Sequence, residues 1–320
     1  MQPMFSPRRP RIAAVGLASW DRIIRVARYP AAGSYAIVQG TASLPGGTTS
    51  NSAVALARLG ADVAIAALVG DDPEGIAMRE TLEREGVDTR WLTTVARRAT
   101  DGATIVVSTE PHERTILWHQ GARLVRGDRL DVAAIFDREV VLLDVDDAPL
   151  RRFLVDLPAH TLPAVRILGT LTYLVDAGID DAFDVALRHD VLVGNRREFC
   201  ALTGCSDLEG TVAAVQTAMP GSNLRAAVVT LGADGATAFT AREQWSAAAF
   251  PVEPTDTTGA GDAFAGAIAF ALALRWNWPN SLCFANAVAG LSTRAVGAQT
   301  ALPSLAEVAD LLGVDPAALR

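Results

Sequence analysis

The stretch Asp256-Thr257-Thr258-Gly259-Ala260-Gly261-Asp262-Ala263-Phe264 runs without a break into the apolar segment Ala263–Leu274, and the rest of the chain is read from it. Glycines ahead of a helix let the backbone turn so that several N–H groups converge on one point. The positive end of the helix dipole favours an anion there. A carboxylate at Asp262, in the first helical turn, lies beside whatever anion the amides of Gly259, Ala260 and Gly261 hold. Such a group accepts a proton from a nucleophile while the amides stabilise a transferring phosphoryl. Taken alone, G-A-G-D also fits an ordinary glycine-rich helix start with Asp262 as a first-turn acid. The apolar segment is about a dozen residues long, against the ~20 that a membrane span needs, so it reads as a buried helix.

Upstream of this segment the pattern is regular alternation. Strands at Val140–Leu143, Ile167–Leu168, Val191–Val193 and Ala227–Leu231 alternate with helical stretches near Arg151–Leu157, Asp181–Leu187 and Leu208–Ala218. Alternation of this kind implies crossover connections and a mostly parallel sheet covered by helices on both faces. Downstream, Gly261–Arg275, Ser281–Thr293 and Leu305–Leu312 are helical. Near the start, Arg11–Leu17 and Val63–Val69 are buried strands, and apolar spacing predicts helices over Ala53–Leu59 and Glu74–Glu85. Two β-rich islands, Ile23–Ser43 (with Tyr35–Thr41) and Thr93–His119, do not fit the alternation, and a lid formed jointly by both accounts for them. No repeat or low-complexity linker divides the chain, so residues 1–320 read as one domain with a lid from about 18–45 and 93–120.

Composition narrows the chemistry. The chain has no lysine, so all 28 basic residues are arginine. That removes Schiff-base enzymes, a P-loop lysine and the lysine–glutamate pair of protein kinases. Phosphate must therefore be handled by backbone amides, helix N-termini, metal ions or arginine. The net charge of −8 is spread along the chain and forms no basic stripe, which argues against a nucleic-acid partner. Cys200, Cys205 and Cys283 have neither disulfide-framework nor zinc spacing and read as buried thiols in a reducing cytoplasm. Arg8 and Arg9 followed by Ile12–Trp20 look like a twin-arginine leader, but Asp21 cuts the apolar run short and no small-residue cleavage site follows; the expectation is a cytoplasmic protein with no membrane role.

The segment 256–264 resembles the C-terminal signature of the ribokinase-like (PfkB) carbohydrate kinases. Other stretches resemble that family's marks in order: Gly16 to Asp21 with Tyr29-Pro30 and Gly33, and Gly46-Gly47 through Asn51. They continue with Ala57-Arg58-Leu59-Gly60, Val69-Gly70-Asp71-Asp72 with Gly75, Asn195-Arg196-Arg197-Glu198, and Val228–Gly232 with Gly235. The resemblance covers Ile12 to about Leu312. It implies a three-layer α/β/α fold with a mostly parallel central sheet and a small β lid, and a kinase that moves the γ-phosphoryl of ATP to a sugar hydroxyl. The expected acceptor is a hydroxymethyl group of a monosaccharide such as ribose or fructose, with a nucleoside as the alternative. A catalytically silent relative that binds sugar or nucleotide is a third reading, disfavoured by intact Asp262, Gly261 and Glu198.

The same resemblance assigns roles. Asp262 is the base and the Gly259–Gly261 amides hold the phosphoryl. Asp21, Gly46, Gly47 and Asn51 bind substrate, although Asp21 also fits a solvated turn acid and Asn51 a helix cap. Asn195 and Glu198 organise Mg²⁺ through water together with the nucleotide phosphates. Thr230, Gly232 and Gly235 border the nucleotide, and Asn286 falls in the adenine pocket or on a polar helix face. Asp256 and Thr258 with the loop Ala295–Ala301, including Ala295 and Gly297, resemble a monovalent-cation site for K⁺, but Ala301 stands where a serine is often found. His112, Arg114 and His119 read as exposed lid residues or as substrate contacts. Asp144, Asp146 and Asp147 follow a strand at the same sheet edge, and one of them is placed to reach the substrate. Their acidity argues against a phosphorylated or sulfonated sugar, which would want arginine. Trp118 or Tyr173 would serve a nucleoside base, and a homodimer through the lid is a further expectation.

Overall fold

The computed structural model describes residues 9–110, 112–157, 165–176 and 181–319. The leader-like opening lies outside them except for Arg9 onward, as does the side chain of His112. Strands run in chain order as β1 Arg11–Gly16, β2 Ser19–Val26, β3 Val38–Gly46, β4 Asp62–Gly70, β5 Asp88–Val95, β6 Gly102–Thr109 and β7 His112–His119. They continue as β8 Val140–Asp144, β9 Arg166–Thr170, β10 Val191–Asn195, β11 Ala226–Thr230, β12 Ala236–Phe239 and β13 Gln244–Ala247.

Nine strands form one sheet in the order β13-β12-β11-β10-β9-β8-β1-β4-β5. All neighbours pair in parallel except β11–β12 and β12–β13, a hairpin at one edge. Both faces of the central strands are apolar, as expected for a parallel sheet covered on two sides. In β1, Ile12 and Ala14 enter one buried cluster and Ala13 and Val15 the other; in β8, Val140 and Leu142 divide from Val141 and Leu143 in the same way. The helices Thr48–Arg58, Ala260–Ala273 and Trp278–Ser292 cover the first face. The helix Ala148–Asp156 covers the second, giving three layers.

Ala260–Ala273 is buried along most of its length because it is built from alanine, glycine and phenylalanine. A Cβ on its Gly266 would stand 3.1 Å from the carbonyl oxygen of Ser52, so this glycine lets the two helices pack closely. That approach brings Asn51 up to Asp262.

The second sheet has four strands in the order β3-β2-β6-β7, joined through a parallel β2–β6 pair. It is a smaller, separate sheet built from the two β islands, with two differences from the expected bounds. Asp88–Val95 pairs with β4 at the edge of the large sheet, so the second lid segment starts at Gly102 and not near 93. The strand expected at Tyr35–Thr41 runs from Val38 to Gly46 instead, and Tyr35 is left exposed. The three cysteines are unbridged and half-buried, not fully buried. Among the described residues no helix is long and apolar enough to cross a membrane.

Candidate active site

The cavity beneath the small sheet is lined from both bodies, by residues of its strands and by residues of the large sheet's loops and helices. The register of the lid strands, read across its inner face, gives three rows. Leu44, Asp21, Ala103 and Trp118 make the first; Ala42, Ile23, Ile105 and Ile116 the second; Arg25, Val107 and Arg114 the third. Strands lie ~4.8 Å apart, so Asp21 and Trp118 stand about 10 Å apart, roughly the width of one sugar with a substituent. Asp21, Ala103 and Trp118 of the first row and Ile105 and Ile116 of the second line a cavity of about 550 Å³ that also carries Gly47, Asn51, Gly259 and Asp262. Arg114, Asp21 and Ile105 also line a second lobe of about 520 Å³, which continues toward Asp256 and Gly297.

Asp262 sits on the cavity floor at the third position of the helix Ala260–Ala273, preceded by Gly259 with φ of 79°. Asn51 Nδ2 donates to its Oδ2 at 2.8 Å, and Ser52 Oγ donates to its main-chain oxygen at 2.9 Å. Burial beneath the lid pushes the Asp262 carboxyl up to about 8; the Asn51 hydrogen bond lowers it, and the nearby Asp144 and Glu198 charges raise it further. Among the described residues the N–H groups of Gly261 and Asp262 make no main-chain hydrogen bond, whereas Ala260 N donates to Thr257 O at 3.3 Å. The donors left for an anion are therefore the amides on either side of Ala260, with that of Asp262 itself added.

Asn51 is not a cap: the helix starts at Gly47, and Asn51 lies within its first turns. Its Oδ1 accepts from Gln299 Nε2 at 3.0 Å, a buried glutamine that also donates to Ser50 Oγ at 3.2 Å. Gln299 thus sets the amide orientation that presents Nδ2 to the Asp262 carboxylate. It carried no signal in the sequence.

Asp21 accepts from Ala103 N at 3.0 Å and from Ser19 Oγ at 3.4 Å, and burial raises its pKa despite these bonds. Gly46 lies against it so closely that any Cβ would collide with Oδ2 of Asp21. Gly47 has φ of 90° and lies where a Cβ would stand 2.6 Å from Ser19 N. One glycine makes room for the carboxylate and the other for the turn.

Of the acidic trio after β8, Asp146 lines the cavity, Asp147 caps the helix Ala148–Asp156 through Leu150 N, and Asp144 is 1 % exposed beneath the floor. Thr170 Oγ1 donates to Asp144, and burial raises the pKa of that acid. Arg123 lies between Asp101 and Asp146, with its Nε 2.8 Å from Asp101 Oδ2, and it stacks 4.2 Å over the Trp118 ring and 5.5 Å over Tyr173. Asp101, 1 % exposed, also accepts from Trp118 Nε1 at 3.0 Å and from Gly121 N at 3.1 Å. Asp101, Arg123 and Trp118 thus form one wall, of which the sequence pointed only to Trp118.

Asn195 and Glu198 form a capping box at the helix Arg196–Thr203, each side chain bonded to the other's N–H at 2.9 Å. Thr172 Oγ1 donates to the second oxygen of Glu198 at 3.2 Å. Thr230 is paired with Asn195 in the β10–β11 register, and Gly232 and Gly235 follow with φ of 63° and 90°. Asn286 is buried, and its Nδ2 donates to Ala247 O and Ala248 O at 3.0 and 3.1 Å, tying its helix to β13. Asp256 brackets two loops: it accepts from Thr258 N at 2.9 Å, Thr258 Oγ1 at 2.7 Å and Gly297 N at 2.9 Å. Burial pushes its pKa up, but these bonds outweigh that and hold it low. His119 bonds Thr104 Oγ1 at 2.9 Å on the exposed lid, while Arg114 reaches into the cleft, with Nη1 3.1 Å from Thr258 Oγ1.

The model for the pfkB family carbohydrate kinases matches residues 9–305. Ribokinase of Bacillus subtilis is 28 % identical over 304 residues, covering 94 % of this chain and 99 % of that protein. Aminoimidazole riboside kinase of Salmonella typhimurium is 30 % identical over 292 residues, covering 81 % and 85 %. The structure of Arabidopsis thaliana ribokinase complexed with ribose and ATP superposes with a TM-score of 0.82 at 24 % identity, covering 96 % of this chain and 100 % of that one. A catalytic-type carboxylate at a glycine-led helix mouth, the same order of motifs and a family match along nearly the whole chain agree: this chain belongs to the pfkB family of carbohydrate kinases.

Proposed function

We propose that the protein transfers the γ-phosphoryl of ATP to a hydroxymethyl group of a monosaccharide such as ribose or fructose. The observation that carries the reading is the floor of the cavity: Asp262, held by Asn51, beside unpartnered amides at one helix mouth and across from Asp21 on the lid. Asp21 and Gly47 orient the acceptor, Asp262 takes its proton, and the amides at Gly259, Gly261 and Asp262 stabilise the phosphoryl. Charge arriving with the nucleotide metal would lower the Asp262 pKa toward the working range of a base.

The residues fit a divalent ion held through water. Among the described residues there is no cluster of three His, Cys, Asp or Glu able to grip a metal directly, and both Glu198 oxygens accept hydrogen bonds. Magnesium keeps several waters, so Glu198 with Asn195 would hold the hydrated ion, which when bound neutralises charge on the phosphates. Asp256, Thr258, Ala295 and Gly297 lie at the two loops where a monovalent cation such as K⁺ would act, although Asp256 already accepts three hydrogen bonds there. A cytoplasmic setting, one domain with its lid, and pairing of two copies through the lid edges complete the reading. Exposed Tyr35 and Ile37 ahead of β3, with Val38 at its start, support the last point.

A nucleoside acceptor is the second reading, and one observation favours it. Trp118 and Tyr173 both line the cavity, and about 550 Å³ leaves room for a heterocycle beside the sugar. An ADP-release assay over ribose, fructose, sugar phosphates, adenosine and aminoimidazole riboside tests both readings, with Asp262→Asn as the control. Turnover with free sugars but not ribosides supports the first, the reverse supports the second, and no turnover with any acceptor refutes both.

A further inference from the structure

Phosphoryl transfer needs positive charge around the moving group, and a chain without lysine must find it in arginine, metal or amides. Among the described residues three arginines line the two lobes; Arg25 reaches only the one toward Asp256, while Arg114 and Arg123 line the cavity that holds Asp262. Arg123 is already neutralised, with Asp101 on one side and Asp146 on the other. Arg114 is different. It forms no ion pair among the described residues, it lines both lobes, and its Nη1 donates to Thr258 Oγ1 at 3.1 Å. Thr258 immediately precedes Gly259, so this lid side chain already touches the loop whose amides face the anion.

The placement follows from strand parity. Arg114 shares the inner lid face with Ile116 and Trp118, and its pairing with Val107 sets it in the row farthest from the first. A guanidinium there is delivered by the lid and not by the sheet domain. Its remaining N–H donors form a fork suited to two oxygens of one phosphoryl group.

We propose that Arg114 is a catalytic residue carried by the lid, turning from Thr258 to the equatorial oxygens of the phosphoryl during transfer. The inference rests on the kinase reading above. In that step the acceptor O–H bond breaks and its proton goes to the Asp262 carboxylate. The acceptor oxygen bonds to the γ-phosphorus, and the bond from that phosphorus to the β–γ bridging oxygen breaks, its electron pair leaving on ADP. Arg114 gains and loses no proton; it balances the charge spread over the three equatorial oxygens.

The test uses the full chain and an acceptor that the parent enzyme phosphorylates. Arg114→Ala is expected to lower kcat by ~10²–10³-fold while ATP binding and acceptor KM stay within about threefold. Guanidinium chloride, far below unfolding concentrations, is expected to restore part of the rate in this variant and none in Asp262→Asn. A kcat within threefold of the parent, a loss confined to acceptor KM, or a loss that guanidinium does not relieve overturns the proposal. Should Arg114→Ala fail to fold, Arg114→Gln is read by the same criteria. A parent enzyme that turns over no acceptor sinks the kinase reading and this inference together; an active parent with an unaffected variant sinks this inference alone.

Discussion

Asn51 donates to Asp262 across the seam between two helices that are distant in sequence, at 2.8 Å, and Gln299 holds the other end of the same amide at 3.0 Å. The Asp262 carboxylate is therefore positioned by a relay of two side-chain amides. Replacing Asn51 with Leu removes the one hydrogen bond that favours the charged carboxylate. The Asp262 pKa then rises, the acidic limb of the pH–rate profile moves to higher pH, and kcat at neutral pH falls by ~10-fold. A Gln299→Leu variant is expected to show a weaker shift in the same direction. Profiles that superpose on the parent's would contradict the relay.

Asp262 also makes a stability prediction. Its folded pKa is raised to about 8 from an unfolded value of 3.8, so the folded state binds the extra proton between those limits. Stability on its account is full below about pH 3.8, falls as pH rises through that window, and levels off above pH 8. Asp262→Asn removes the dependence. The variant is expected to melt roughly 2–4 °C above the parent at pH 8 and to lose that advantage toward pH 4. Thermal unfolding at both pH values checks it, and a pH-independent gap would be the wrong outcome.

Gly46 has room for Asp21 and for nothing else. Gly46→Ala turns the carboxylate away from its place without disturbing the fold, because the obstructed atom belongs to a side chain. Acceptor KM is expected to rise by ~10-fold or more, with ATP KM unchanged, as measured by steady-state kinetics. Equal changes in both constants would count against the assignment.

Arg123 neutralises an acid that is 1 % exposed. Arg123→Met leaves Asp101 with a buried, uncompensated charge and should cost about 3–5 kcal/mol in chemical denaturation. Adding Asp101→Asn should recover part of that loss. A single variant as stable as the parent would mean that solvent reaches Asp101.

The parts of this molecule that depend on neighbouring residues were legible in its sequence. Segment 256–264 announces a helix mouth with an acid in its first turn, and Asn195 through Glu198 marks the end of the β10 strand. The alternating strands and helices of the second half gave the parallel sheet for the same reason. What escaped is set by pairing at a distance. Asp88–Val95 is as β-prone as the lid strands, and only its partner strand shows which sheet it joins. For Arg114 the sequence leaves open an exposed residue or a substrate contact, because parity gives two faces and does not say which one roofs the cleft. Gln299 and Asp101 matter through bonds to residues 248 and 22 positions away, which no local pattern encodes.

The split between the two sheets has a consequence for how such an enzyme diversifies. Asp262 and its amide relay belong to the large body, while Asp21, Trp118 and Arg114 sit on strands of the small sheet. Exchanging side chains along the two inward rows that do not carry Arg114 redraws the range of molecules admitted, and leaves the reactive machinery inherited intact.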